Sequence, residues 1–206
     1  MARLDRAAVL AGAWQFIEDH GVDALTMRKL ASSLGVNHGT LYWHVENKHA
    51  LTDALADDLL AGVADDTDSG ASGANRLLEL AHRLRSALLS RRDGARVLAG
   101  TFVRQPNTLA FGEAAIGAAL ASGVPEPEAV LVAFSVQYYV MGFVIEEQAA
   151  YDLTRTNSSQ AQRETAIDVE HFPNIAAGLQ TLRNTPRDTQ FAYGLTRLLA
   201  STDRSH

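Results

Sequence analysis

The residues best suited to chemistry sit together between Met27 and Val45. Asn37, His38, Gly39, Thr40, Tyr42, Trp43 and His44 crowd amide, imidazole, hydroxyl and aromatic groups onto one short segment, where they make poor core material. Arg28, Lys29 and Lys48 lie close by in sequence, and Glu46 is the only acid between Leu25 and Leu51. Hydrogen bonding to base edges and charge pairing with phosphates is the chemistry such a set offers. The other candidates offer less. Glu146 and Glu147 are neighbours on a helical pattern, about 100° apart around the axis, so they do not face one site. His82 and His171 stand alone, and no His-x-x-x-His, glycine-rich phosphate loop or nucleophile motif is found. Cysteine is absent, which removes disulfides, thiolate metal sites and cysteine nucleophiles and fits a cytoplasmic location. The expectation is a protein that is not an enzyme and carries no metal site or cofactor.

Charge distribution agrees. The net charge is -6, yet residues 1–50 hold five Lys/Arg and five Asp/Glu, so the whole deficit lies in the remainder. A locally cationic segment on an acidic body suits a modular nucleic-acid binder, because phosphates respond to local charge. Residues Met1 to Arg6 lack the order of a secretory signal, and no apolar run approaches about 18 residues, so no membrane span is expected.

The elements that must position these groups are helical throughout. Val9, Leu10, Ala13, Phe16 and Ile17 recur every three or four residues and predict a helix over about 5–20, stopped by Gly21. Thr26 is placed to cap a second helix, Asn37 a third running through His44, and Asn47 a fourth carried by Leu51, Leu55 and Leu59. The stretch 65–73, rich in Asp, Ser and Gly, reads as a linker. Further helices are predicted over about 75–89, 93–100, 107–121 and 126–151. A polar loop follows from Asp152 to Thr165, and Pro173 and Pro186 then open two last helices. No alternation supports a strand.

Within this frame, Met27 to Val45 has helix-turn-helix spacing. Ala31 allows close crossing, Gly35 supplies a turn that a side chain would obstruct, and Leu41 plugs the second helix against the first. An ordinary helical hairpin, or a module binding protein through the same hairpin, shares the Ala-Gly-Leu spacing. Trp43 either packs back on the first helix or faces outward.

The runs Leu25-Thr26-Met27-Arg28-Lys29-Leu30-Ala31, Leu34-Gly35-Val36 and Thr40-Leu41-Tyr42-Trp43-His44-Val45, followed by Asn47-Lys48, resemble the DNA-binding head of the tetracycline-repressor (TetR) family. Arg92-Asp93-Gly94-Ala95 and Val144-Ile145-Glu146-Glu147-Gln148 extend the likeness into the rest of the chain. The resemblance implies an all-α fold. Residues 1–47 would form a three-helix DNA-binding head, 48–64 a connecting helix, and 65–206 a larger ligand-binding and dimerisation domain. It implies a homodimeric repressor that binds double-stranded operator DNA and releases it when a small-molecule effector binds. Arg28 would read a guanine edge, and His38 and Gly39 stand where the tetracycline-repressor subgroup has a base-reading Gln-Pro pair, so a different operator is expected. Thr26, Thr40, Tyr42, His44 and Lys48 would hold phosphates, with Asn37 and Trp43 on the same surface.

For the effector, the resemblance points to Leu80, Leu84, Leu98, Thr101, Phe102 and Phe111, then to Ala115, Phe134, Gln137, Tyr138, Met141 and Glu146. Where the subgroup holds a drug–magnesium complex with polar side chains, this chain has Ala64, Leu80, Leu98 and Ala115, and only Thr101 and Glu146 remain of that set. A hard cation needs oxygen ligands, so an apolar pocket and a largely hydrophobic effector are expected. The helices 126–151 and 187–200 would form the dimer interface. On them, Ala129, Ala133, Val136, Val140 and Val144 make a small-residue stripe, and Phe191, Leu195, Leu198 and Leu199 an apolar face; plain core makes such faces more often than an interface does, so the dimer rests on the resemblance.

Overall fold

The computed structural model describes residues 4–65, 71, 73–99, 101, 104–156 and 168–200. Phe102, Gly100 and most of the predicted linker lie outside them. The described residues form ten α-helices and no strand. They divide into two compact units, Met1–Ile145 and Glu146–His206.

The first unit opens with α1, Arg6–His20. Asp5 caps it by accepting the Ala8 N–H at 2.8 Å. Val9, Ala13, Trp14, Phe16 and Ile17 are buried on its inner face, and Gly21 ends it at φ 79°. A short 3-10 turn at Val22–Ala24, which the periodicity did not reveal, leads to α2, Met27–Ser33. Helix α3 follows at His38–Tyr42 and α4 at Lys48–Leu59. The three predicted caps form: Thr26 accepts from Lys29 N–H at 3.2 Å, Asn37 from Gly39 N–H at 2.9 Å and Asn47 from Ala50 N–H at 2.8 Å. Helix α3 ends two residues earlier than expected, leaving Trp43 and His44 in the turn beyond it.

Gly35 makes the predicted turn for a different reason from the one expected. Its φ is +64°, and its N–H and that of Val36 bond back to the carbonyls of Ser32 and Ala31 at 3.1 and 3.0 Å, closing α2 in a left-handed cap. Nothing lies within 4 Å of where a Cβ would be. Backbone conformation, not crowding, demands glycine here. The close approach occurs instead at Gly12, whose Cβ would collide with the Leu34 side chain and which lets α1 lie tight against the end of α2.

Helix α5, Ala74–Leu89, packs on α6, Gly94–Leu98, and on α7, Pro106–Ala121. Helix α4 packs on α1, α6 and α7. The guanidinium groups of Arg76 and Arg83 donate to the carbonyls of Val63, Ala64 and Asp65 at 2.6–3.3 Å, fixing the chain just past α4. Such contacts satisfy carbonyls that a finished helix leaves open.

Helix α8, Glu126–Thr156, runs on past the predicted end at about Tyr151, so Asp152–Thr156 is helix and not loop; 157–165 lie outside the described residues. Its segment Glu126–Asp152 is long and apolar enough by composition to cross a membrane, although the sequence led to no expectation of a span. The stripe Ala129, Ala133, Val136, Val140 and Val144 is buried to 4% exposure or less within the single chain. Of the two readings open to such a stripe, core and interface, it takes the core one. The outward positions are Leu131, Phe134 and Tyr138, which stay exposed.

In the second unit, α9 spans Pro173–Asn184 and α10 Arg187–Leu199. Pro173 opens α9 as expected, whereas Pro186 takes the capping position before α10. Gln190 ties the two by donating to the carbonyls of Leu182 and Thr185 at 2.9 and 2.7 Å. Phe191, Leu195 and Leu199 are buried, Leu198 is half-buried, and α9 buries no residue.

Candidate operator-reading head and ligand site

The head presents its polar set outward. Thr26, Arg28, Asn37, His38, Gly39, Thr40, Tyr42, Trp43 and Lys48 are exposed, and His44 is half-buried. Beneath them Leu25, Leu30, Ala31 and Leu41 are 0–2% exposed and hold α2 and α3 together. Trp43 is 89% exposed, which settles its alternatives in favour of the surface. The His38 ring meets Tyr42 edge-on at 4.8 Å between centroids, one helical turn apart, and fixes the direction in which both face outward. Arg28 and Lys29 have no side-chain hydrogen bond or ion pair among the described residues, leaving two cations ready for an external anion.

A polar junction absent from the sequence reading joins this head to α6. Asp93 is 6% exposed at φ 57°, a left-handed conformation that Asp tolerates better than most residues. Its Oδ2 accepts the Val22 N–H at 2.7 Å, and its Oδ1 accepts from Arg96 at 3.2 Å. Arg96 also donates to both carboxylate oxygens of Asp23 at 2.7 and 2.8 Å. That hydrogen bond, reinforced by the guanidinium charge, holds the Asp23 carboxyl below its ordinary range, and the bond to Asp23 raises Arg96. Arg92 donates to the carbonyl of Glu18 at 2.9 Å. Gly94 follows at once because a Cβ there would strike the backbone carbonyl of Leu88. The only sequence signal was the run Arg92-Asp93-Gly94-Ala95, whose partners lie about seventy residues away.

The expected ligand residues fall into two groups. Leu80 and Leu84 on α5, Leu98 on α6, and Phe111 and Ala115 on α7 are buried, with 0–4% exposure, and α5 packs on both α6 and α7. Thr101 beside them is half-buried and donates its hydroxyl to the Leu98 carbonyl at 2.6 Å. On α8, Gln137 and Met141 are half-buried, Phe134 and Tyr138 exposed, and Glu146 is exposed in the second unit. An open groove of ≈410 Å3 lies elsewhere, between Ala61–Val63 and Glu79, His82, Arg83 and Ser86, and none of the expected ligand residues lines it.

A magnesium-linked ligand does not fit this apolar group. Among the described residues no cluster of three or more His, Asp or Glu is placed to hold a metal ion. Leucine and alanine supply no lone pairs at the remaining positions.

Comparison with known proteins bears on both halves. Residues 9–55 match the family profile described as bacterial regulatory proteins, tetR family, and residues 68–202 match the tetracyclin repressor-like C-terminal domain. The chain is 35% identical over 208 residues to tetracycline repressor protein class G of Vibrio anguillarum, covering 99% of this chain and 96% of that protein. Its fold is similar to that of a possible TetR family transcriptional regulator from Streptomyces coelicolor A3(2), with TM-score 0.87, 34% identity and coverage of 98% and 100%. It is also similar to BioQ bound to its double-stranded DNA operator, with TM-score 0.73, 30% identity and coverage of 99% and 100%. A variant of TetR from Acinetobacter baumannii AYE in complex with minocycline is similar at TM-score 0.72, 36% identity and 98% coverage of each chain. With both family domains present in order, along a relative matched over nearly its whole length, the chain belongs to the TetR family of bacterial transcriptional regulators.

Proposed function

We propose that the protein is a cytoplasmic, ligand-responsive transcriptional repressor. It binds a pseudo-palindromic operator as a homodimer and is released by a small, largely hydrophobic effector. The observation carrying this reading is the outward set on α2, α3 and the turn after them, with Arg28 and Lys29 unpaired among the described residues and Trp43 almost fully exposed. Arg28 reads a base edge, His38 enters the major groove with Tyr42 set edge-on beside it, and Thr26, Thr40, Tyr42, His44 and Lys48 hold phosphates. The operator complex of BioQ supports this use of the head.

The homodimer is supported by the uncovered apolar residues of α8, among them Leu131, Phe134 and Tyr138, which stay exposed within one chain. Minocycline in the Acinetobacter relative makes polycyclic compounds the first class to test. The apolar group around Leu98 supports binding by shape and not through a metal.

The test is titration of the duplex upstream of the protein's own gene at several salt concentrations. Affinity falling linearly in log–log form, with a slope reflecting several phosphates, is expected. Salt-independent or absent binding refutes the reading.

A further inference from the structure

We propose that Asp57 is the positioning residue through which ligand pressure on α7 reaches the connecting helix α4. The inference rests on the repressor reading above and names a route within it.

Asp57 lies half-buried near the end of α4. Its Oδ1 accepts both the N–H and the hydroxyl of Thr108, at 2.9 and 3.0 Å. Asn107 Nδ2 donates to Asp57 Oδ2 and to the Asp57 carbonyl oxygen, each at 3.1 Å. Thr108 and Asn107 belong to the first turn of α7, and Gln105, at the capping position of that helix, makes no side-chain cap. The carboxylate of one helix therefore caps the N-terminus of another, where exposed N–H groups and the positive end of the helix dipole favour an anion.

The clamp joins two functional elements. Phe111 and Ala115 continue the face of Thr108 along α7 at three- and four-residue spacing, and both are 3% exposed among the ligand-site candidates. On the other side, Asp58 accepts from Trp14 Nε1 at 2.9 Å and ties the same turn of α4 to α1 of the head. Asp57 and Asp58 thus link the ligand-lining helix to the DNA-reading helices without passing through α6. A side chain or ligand that displaces α7 carries α4 and α1 with it, and operator affinity changes because the heads are re-aimed.

A built-in ligand surrogate makes the test independent of the natural effector. Ala115→Trp pushes on α7 from inside, and the operator duplex upstream of the protein's own gene is the probe. Four proteins are compared: wild type, A115W, Asp57→Ala, and the double variant, each checked by circular dichroism. We expect A115W to weaken operator binding about tenfold in the wild-type background, within the usual span of allosteric coupling, and less than about twofold with D57A. Asn107→Ala with Thr108→Val removes the side-chain donors from the α7 side but leaves the Thr108 N–H on Asp57 Oδ1, and must reduce the effect without abolishing it. Should A115W fold poorly, Ala115→Leu applies the same push more gently. Equal losses in both backgrounds, or no loss from either Ala115 variant, overturn the inference while wild-type binding leaves the repressor reading intact. Wild-type protein that does not bind the duplex overturns both.

Discussion

Replacing Asp93 probes the junction between α6 and the head. The Asp93 carboxylate is the acceptor for the Val22 N–H at 2.7 Å, and its residue sits at φ 57°. Removing an ionised acceptor from a part-buried N–H costs about 1.5–3 kcal/mol. An alanine held in the left-handed region adds roughly 1 kcal/mol of backbone strain. Asp93→Ala should therefore destabilise the protein by about 2.5–4 kcal/mol, a fall of around 10 °C in melting temperature for a chain of this size. Asp93→Gly loses the same hydrogen bonds without the strain and should be milder by about 1 kcal/mol. Asp93→Asn keeps an acceptor oxygen and tolerates the conformation, so it should cost least. Urea unfolding followed by circular dichroism, at one fixed protein concentration because a dimer's stability depends on it, gives the order directly. D93A within about 0.5 kcal/mol of wild type, or D93G less stable than D93A, refutes this account of the junction.

Three further outcomes are expected. Arg28→Ala should cost roughly 1–3 kcal/mol and relax preference at one base pair per half-site, whereas Lys48→Ala should weaken all sequences alike and flatten the salt slope; identical behaviour across an operator panel contradicts the division of roles. Leu98→Trp, which fills the apolar site between α5, α6 and α7, should abolish effector-driven release, and release by minocycline or another polycycle should survive EDTA; loss with the chelator overturns the metal-free pocket. The lowered Asp23 carboxyl contributes stability above the ordinary aspartate range that disappears as pH falls through its depressed value. Asp23→Asn should accordingly lose less stability on acidification than wild type, by a small amount because Asp23 is exposed, and superimposable acid titrations would count against the Asp23–Arg96 pair.

The parts of the fold legible in the sequence are those set by short-range physics. Thr26, Asn37 and Asn47 cap helices through bonds to N–H groups two or three residues away, so their types and positions sufficed. Gly35 was found by spacing, but spacing does not tell a crowded site from one needing positive φ. The roles of Asp57 and Asp93 were not legible because their partners lie 51 and 71 residues distant. The candidate ligand positions came from the resemblance. Leu80, Leu84, Leu98, Phe111 and Ala115 among them are buried, and burial gives core and pocket residues the same signature. The small-residue stripe on α8 was open to two readings for the same reason: it is packed inside its own chain, and larger residues beside it are left uncovered.

Helix α3 touches the core through Leu41 alone; its other four residues are exposed. Substitutions at exposed positions away from caps usually change stability by about 0.5 kcal/mol or less. His38, Thr40 and Tyr42 are therefore free to vary with almost no effect on whether the chain folds. The address that the regulator reads and the scaffold that carries it are subject to nearly separate selection. A lineage of such chains can acquire new target sequences by drift at a few outward positions while its folding stability, and the machinery that senses the effector, stay as they were.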